Sequence, residues 1–519
     1  MGWDGLVSLA MKKNLAVSVF LIATAVTPAQ AQTEASAPYM PSWQARHHLQ
    51  LLSDHAGLNL PMSHWPLPTA AVEQALGELP KTLQGSDIDL EGARQSVLRE
   101  INAIRTQASW RVQVKNPAES LPGFDEDYTP GSSLHIVSGE KRVALGGLWM
   151  AVRLGARLEQ PSNSLQNPAT ASVQAQATVR IEDSAAVLGV AGWNLQAFSH
   201  RAWWGPGWQS SLINGSNAPA LNGVGIQRGS ARRSESPWLA WMGPWNLDVF
   251  VAKAQDPAVV ANQPQGFLYS GMRLTMRPQP WIEVGLSRTL QVGGAGRPGG
   301  VKNFAKAFLG QQVNQNPGDP PDSSNQLAGY DVRLRCPQAL GNCAAYTQWM
   351  GEDAAGKIPL PYKFMSLWGL EHTLGQGRHR VFAEYTNTNA YSLPWNDKAL
   401  QFPGYFNGVY SQGYTQGARW LGSAQGAGSA VTTLGWMDAQ GQRMVKVHVG
   451  KINTSVGAYD PRVDAPRGKL FGLSASQTFE WQSLNMTPEL SWLRLDTGQD
   501  QRANKLNNVR LGLTVQAPF

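Results

Sequence analysis

From about residue 108 to the C-terminus, apolar side chains recur at every second position. Leu148, Met150, Val152, Leu154, Ala156 and Leu158 alternate with Trp149, Ala151, Arg153, Gly155 and Arg157. Val173, Ala175, Ala177, Val179 and Ile181 then alternate with Gln174, Gln176, Thr178, Arg180 and Glu182. The same period returns at Leu268 to Met276, at Ile282, Val284 and Leu286, at Val381, Ala383 and Tyr385, and at Val445, Val447 and Val449. Successive side chains of a strand point to opposite faces, so each segment predicts a strand with one apolar face. A soluble sandwich also hides one face of its strands. Segment lengths of about 9 to 11 residues, with charged and small residues on the polar face, favour strands that cross a membrane around a lumen.

The chain end agrees. Leu511, Leu513, Val515, Ala517 and the terminal Phe519 are apolar at every second position, the ending typical of an outer-membrane barrel strand. At roughly 20 to 25 residues for each strand with its share of turn and loop, residues 109–519 predict about 16 to 20 strands, and 18 is adopted. The Gly-, Asn- and Pro-rich stretches 292–326 and 386–430 are too long for turns and are expected to be outward-facing loops. Before the strands, the period is helical. Ser42 caps a segment ending before Gly57, Thr69 caps Ala70 to Leu79, and Asp87 caps a run in which Leu90, Val97, Ile101 and Ile104 share a face. At the N-terminus, Met11-Lys12-Lys13, the apolar run Leu15 to Val26 and Ala29-Gln30-Ala31 form a secretory signal. The expected organisation is therefore a signal peptide at 1–31, a periplasmic helical subdomain at 32–107, and an all-β transmembrane barrel of about 18 antiparallel strands at 108–519 with extracellular loops.

Composition narrows the function. Charged residues are only 15% of the chain, whereas Gly numbers 53, Pro 33 and Trp 20. No apolar run after the leader reaches the length of a spanning helix. The net charge of +7 is spread along the chain rather than gathered into a nucleic-acid-binding stripe. In an exported chain the two cysteines, Cys336 and Cys343, are most simply read as a disulfide around a turn containing Pro337 and Gly341.

No catalytic anchor emerges. Gly294-Ala295-Gly296-Arg297-Pro298-Gly299 fits a dinucleotide fingerprint in letters only, because it lacks the strand-turn-helix context and carries Pro298 where a helix should start. Ser138-Gly139-Glu140-Lys141 lacks the partner motifs of penicillin-binding enzymes and reads as a turn. His47 and His48 point to different helix faces and form no metal clamp, so both are read as solvated or capping histidines. Glu352 and Asp353, adjacent on an extended chain, face opposite ways. No cofactor, metal or enzymatic role is predicted.

The densest constellation is Arg201-Ala202-Trp203-Trp204-Gly205-Pro206-Gly207-Trp208-Gln209-Ser210-Ser211-Leu212-Ile213. Indole faces suit sugar C–H groups, and Arg or Gln reaches hydroxyls and carboxylates. Indoles also build barrel girdles and plugs, so packing is the competing reading. These residues, with Asn217, Tyr330-Asp331-Val332-Arg333, Gly351 to Gly356, Trp368-Gly369-Leu370-Glu371, Glu384 to Thr388, the Tyr410 to Gly422 stretch and Ser63-His64-Trp65-Pro66-Leu67, resemble the capsule assembly protein Wzi family. The resemblance implies an 18-stranded outer-membrane barrel with a periplasmic helical bundle and an occluded lumen, acting as a lectin-like attachment protein for exported polysaccharide. Candidate ligand contacts are Arg201, Trp203, Trp204, Trp208, Tyr410 and Tyr414, displayed at the outer rim. Expected partners are capsular or extracellular polysaccharide, outer-membrane lipid and lipopolysaccharide, and the barrel assembly machinery, with no nucleic acid. The alternative is a diffusion porin whose Arg153, Arg157 and Arg180 line a weakly anion-selective lumen.

Overall fold

The computed structural model describes residues 34–519 apart from 84–86, 117, 119, 128–130, 146–147, 162–176, 256–263, 311–323, 356–357, 393–400, 408–409, 411, 418, 455–466 and 497–505. The predicted leader and the stretch from Val173 to Gln176 lie outside the described residues.

The first barrel strands are β1 (Ser109–Lys115), β2 (Gly131–Val137 continued by Lys141–Leu145), β3 (Leu148–Arg153 continued by Gly155–Pro161) and β4 (Thr178–Ile181 continued by Ser184–Val190). Next come β5 (Trp193–His200), β6 (Leu221–Arg228), β7 (Trp245–Lys253), β8 (Leu268–Gln279) and β9 (Ile282–Val292). They are followed by β10 (Ser324–Arg335), β11 (Cys343–Ala355), β12 (Ile358–Leu374), β13 (His379–Ser392) and β14 (Ala430–Asp438). The last four are β15 (Arg443–Ile452), β16 (Gly468–Gln477 continued by Phe479–Trp481), β17 (Leu484–Asp496) and β18 (Leu506–Pro518). Neighbours pair antiparallel, and β18 closes on β1, with Pro518 opposite Ser109 and Gly512 opposite Lys115. The sheet holds 23 strand segments, of which four pairs are continuous across a short break and one, Gln401–Pro403, joins only the end of β13, so the closed ring has eighteen members among the described residues.

Closure leaves no free edge, and alternation then sorts the side chains. Leu148, Met150, Val152, Leu154 and Leu158 are exposed on the outer wall, whereas Ala151, Arg153, Arg157 and Glu159 are buried inside. Leu511 and Leu513 likewise face out and Arg510 is buried. At the end carrying Ser109 and Phe519 most connections are tight, as at Ala191-Gly192 and Gln482-Ser483, whose positive φ values suit two-residue hairpins. Exposed Trp238, Trp241, Trp281, Trp481 and Phe519 gather at this turn end. Most of the longer connections leave from the opposite, loop end, and the 229–244 connection between β6 and β7 is a long one at the turn end.

Three helices, α1 (Trp43–His55), α2 (Thr69–Gly77) and α3 (Leu90–Thr106), cap the turn end. Ser42 caps α1 by accepting from the Ala45 amide at 3.1 Å. Two predicted caps move. Asp89, not Asp87, caps α3 by accepting from Gly92 N at 2.8 Å, and Thr69 is the first residue of α2, its hydroxyl donating to the Ala37 carbonyl. Leu90, Val97 and Ile101 form the buried face of α3. The Asp89 amide donates to the Gln376 carbonyl in the β12–β13 turn, and Glu140 N donates to Arg105 O, tying α3 to the barrel. Trp43, Leu49, Leu52 and Val97 belong to the same buried cluster as Trp203, Trp208, Tyr405 and Tyr414, so the helices and the lumen share one core.

Candidate functional site

Four chain segments fill the lumen: the N-terminal stretch that carries α1, and the described residues of loops 116–130, 201–220 and 404–429. All residues from Ala202 to Ala220 are buried, although they connect two strands at the loop end. Two glycines permit the fold, and partners distant in sequence decide it. Gly205 (φ 147°) and Gly207 allow a tight approach, for a Cβ at Gly207 would lie 2.3 Å from the Ser210 carbonyl. The loop therefore folds down, and Trp203-Trp204 pairs as a short strand with His64-Trp65.

Around Trp208 the loop is clamped from every side. Its amide donates to Glu384 at 2.9 Å and its indole N–H to Glu371 at 2.6 Å. Arg46 of α1 lies 4.2 Å from the Trp208 ring centroid and 4.3 Å from that of Phe124, and donates to the Pro206 and Gly207 carbonyls at 2.8 Å each. Stacked cations of this kind favour Arg, whose flat guanidinium also matches paired carbonyls. Burial draws the Arg46 guanidinium down to about 9, with Glu371 opposing the fall. Glu371 in turn accepts from Arg380 at 2.5 Å and from Arg333 at 2.6 Å, and Arg333 reaches Asp54 of α1 at 2.7 Å. Burial of charge is tolerated here because each one has a partner.

Loop 404–429 closes the other side. Tyr405 donates to the Leu212 carbonyl at 2.9 Å, Tyr410 to the Gly293 carbonyl at 3.0 Å, and Tyr414 to Thr289 on β9 at 2.8 Å. Tyr269 of β8 packs edge-to-face against Tyr414 and donates to Asn214 at 2.9 Å. Tyr405 stacks on Tyr414, and Trp420 lies beside both Tyr405 and Phe406.

The structure brings five of the six predicted contact residues together but not at an exposed rim. Trp203 (1% exposed), Trp204 (0%), Trp208 (4%), Tyr410 (0%) and Tyr414 (1%) are packed inside the lumen. Arg201 is nearer the surface, paired with Glu182 at 3.4 Å. The physical reason is that large amphipathic rings bury their faces when a polar tip can find a carbonyl or carboxylate, and here each loop supplies one. The expectation that 386–430 faces outward is corrected in the same way for its 404–429 part. His47, read from sequence as solvated or capping, is fully buried, bonded to the Gly377 carbonyl at 2.6 Å and accepting from Arg380 at 3.0 Å. Arg153, Arg157 and Arg180 do face the lumen, but Arg157 is held by Asp127, Arg180 by Glu159, and Arg153 by the Pro38 carbonyl. Cys336 and Cys343 form a disulfide at the β10–β11 turn, with Cα atoms 5.2 Å apart.

Sequence reading missed Arg46, Phe124, Arg380 and Tyr269, and named Glu371 and Glu384 only within family motifs, without a role. Parity was the available signal for Glu384, which lies between the outward Ala383 and Tyr385. Nothing local marked Phe124 or Arg46.

The model of the capsule assembly protein Wzi family matches residues 107–440. The chain belongs to the capsule assembly protein Wzi family. A relative in Klebsiella pneumoniae, described as an uncharacterized 55.8 kDa protein in the cps region, is 27% identical over 340 residues, which are 65% of this chain and 62% of that protein. The match thus spans less than two thirds of that relative. Wzi of Escherichia coli, an outer-membrane protein involved in group 1 capsule assembly and described as a carbohydrate-binding β-barrel, matches with a TM-score of 0.72 at 21% identity, over 93% of this chain and 100% of that one. The fold of this family member is accordingly that of an outer-membrane β-barrel of Gram-negative bacteria.

Proposed function

We propose that this Wzi-family protein binds exported capsular or extracellular polysaccharide at the cell surface and attaches it there without chemical change. The observation that carries the reading is the filled lumen. A barrel of this size is wide enough for a water channel, yet its interior is occupied by four packed segments with their charges paired, which suits a scaffold better than a conduit. In this reading the helical segment is the periplasmic unit and the loop end is extracellular. Arg201, Trp203, Trp204, Trp208, Tyr410 and Tyr414 contribute from beneath, by fixing the loops that present a saccharide surface, and Arg201 is the nearest of them to it. Individually weak contacts repeated along a polymer gain by multivalency, so modest affinity at each site suffices. Family membership and the carbohydrate binding described for the Escherichia coli protein support the substrate class.

Deleting the gene tests this. Polysaccharide should appear in the medium while total synthesis stays unchanged, and loss of synthesis would refute the reading. The porin alternative predicts steady conductance in a planar bilayer, whereas a filled barrel should stay silent.

A further inference from the structure

The outer wall departs from its own pattern at the loop end of β9. Glu283, Ser287, Thr289 and Gln291 are buried in the lumen, and Leu286 on the opposite face is 44% exposed. Arg288, Leu290 and Val292 continue that outward face, yet Leu290 is 1% and Val292 2% exposed. They are covered by a fourth helix, α4 (Val301–Phe308), whose Phe304, Ala307 and Phe308 pack on them. The helix therefore lies against the outside of the barrel. Arg288 fixes it there, donating to the Phe308 carbonyl at 2.6 Å and the Ala307 carbonyl at 2.9 Å. Gln326 of β10 accepts from Arg288 at 2.5 Å and donates to the Ala307 carbonyl at 3.4 Å. These side chains satisfy carbonyls that a final helical turn leaves open. They also pair an Arg that would be costly on a bare lipid-facing wall.

The height of α4 follows from strand geometry. Ile282 adjoins Trp281 at the turn end, and Val292 lies ten residues further on, about 25 Å along the membrane normal for a strand tilted about 40°. That distance matches the apolar band, which puts α4 at the boundary between hydrocarbon and headgroups of the loop-end leaflet. Val301 is 86% and Leu309 52% exposed there. Residues 293–310 include Arg297, Lys302 and Lys306 and no acidic residue, and none of the three cations pairs with a described residue.

We infer that α4 is an interfacial helix that binds the phosphate groups of outer-leaflet glycolipid through Arg297, Lys302 and Lys306, with Val301 and Leu309 entering the acyl boundary. Exposed apolar side chains beside unpaired cations are the composition of helices that lie in a membrane interface. Basic residues strengthen such contacts with anionic lipid. An acidic polysaccharide would match the cations but would leave Val301 and Leu309 against water. The inference needs the barrel to span the outer membrane and does not need polysaccharide binding.

The test uses delipidated full-length protein and its Arg297→Gln/Lys302→Gln/Lys306→Gln variant, titrated with bisphosphorylated lipid A and with dephosphorylated lipid A under native mass spectrometry. The wild type should retain the bisphosphorylated form about tenfold or more tightly than the variant, and rising salt should narrow the gap. Dephosphorylated lipid should bind both equally. The three substitutions lie on the surface, and unchanged heat-modifiable migration would establish that both barrels are folded. Equal retention of bisphosphorylated lipid A would overturn the inference. So would a variant that keeps lipid A and loses a purified acidic polysaccharide. A variant that loses lipid A while its cells keep surface polysaccharide supports the inference and separates its fate from that of the proposed function.

Discussion

Trp208 shows how a loop that reads as a sugar platform becomes a keystone. Its ring lies between Arg46 and Arg380, and both of its N–H groups are taken by carboxylates of the barrel wall. Truncation to alanine removes a buried ring and leaves Glu371 short of the indole donor, while the backbone amide still serves Glu384, so Trp208→Ala should destabilise the plug by about 3 to 5 kcal/mol. The expected readout is a lowered melting transition of near-UV dichroism with intermittent channel openings, while far-UV strand content persists. A variant that melts like the wild type and stays silent would refute the clamp. His48 tests a second residue-scale effect. Burial pushes its imidazole down to about 4, with Asp89 opposing and Arg380 and Arg99 assisting. A histidine whose folded pKa lies below its unfolded value leaves stability intact above about pH 6.5 and removes it as pH falls toward 4, about 3 kcal/mol in all. Proteolysis of the 34–107 segment should therefore accelerate between pH 6.5 and 4, and less so in His48→Gln. Equal acceleration in both proteins would exclude His48 as the cause.

At the scale of elements, what was legible depended on whether the signal is local. Lipid-facing parity is local, so Leu148 to Leu158 and Leu511 to Val515 could be assigned to the outer wall from spacing alone. The buried face of α3 was legible for the same reason. Helix starts shifted by a residue or two where two acids compete, as Asp87 and Asp89 do, because only backbone geometry decides which carboxylate meets the Gly92 amide. The inward fall of loops 201–220 and 404–429 had no local signal. A girdle and a plug draw on the same Trp, Tyr and Gly, and the deciding partners are distant in sequence: Glu384 lies 176 residues from Trp208, and Leu212 lies 193 from Tyr405. The disulfide is an element-scale staple. It closes a loop with a sequence separation of 7, for which chain entropy gives about 2 to 3 kcal/mol. Cys336→Ser/Cys343→Ser should lower the heat-modification temperature by a few degrees without changing lumen occlusion. Loss of the folded barrel would show that the turn matters for assembly and not only for stability.

The whole molecule joins its two ends through one count. An eighteen-membered ring returns the start of β1 to the same side as the end of β18, and Phe519 N donates to the Ala108 carbonyl at 2.8 Å, so both chain ends share the turn end. Helices α1 and α3 bind turns of that same end, through Gly377 and Gln376. A chain exported N-terminus first threads a folded helical bundle through its own barrel only with difficulty, so the helices should remain periplasmic. The connections at the loop end, including the one that carries α4, then emerge on the extracellular side, and the long 229–244 connection stays with the helices. An epitope tag near Asn316 should be labelled on intact cells, and one near Gly85 only after the outer membrane is permeabilised; both positions lie outside the described residues, where insertion disturbs no described contact. The reverse pattern would invert the barrel. It would move α4 to the inner leaflet, which bears no lipid A, and place the plugged loop end where no surface polysaccharide could reach it.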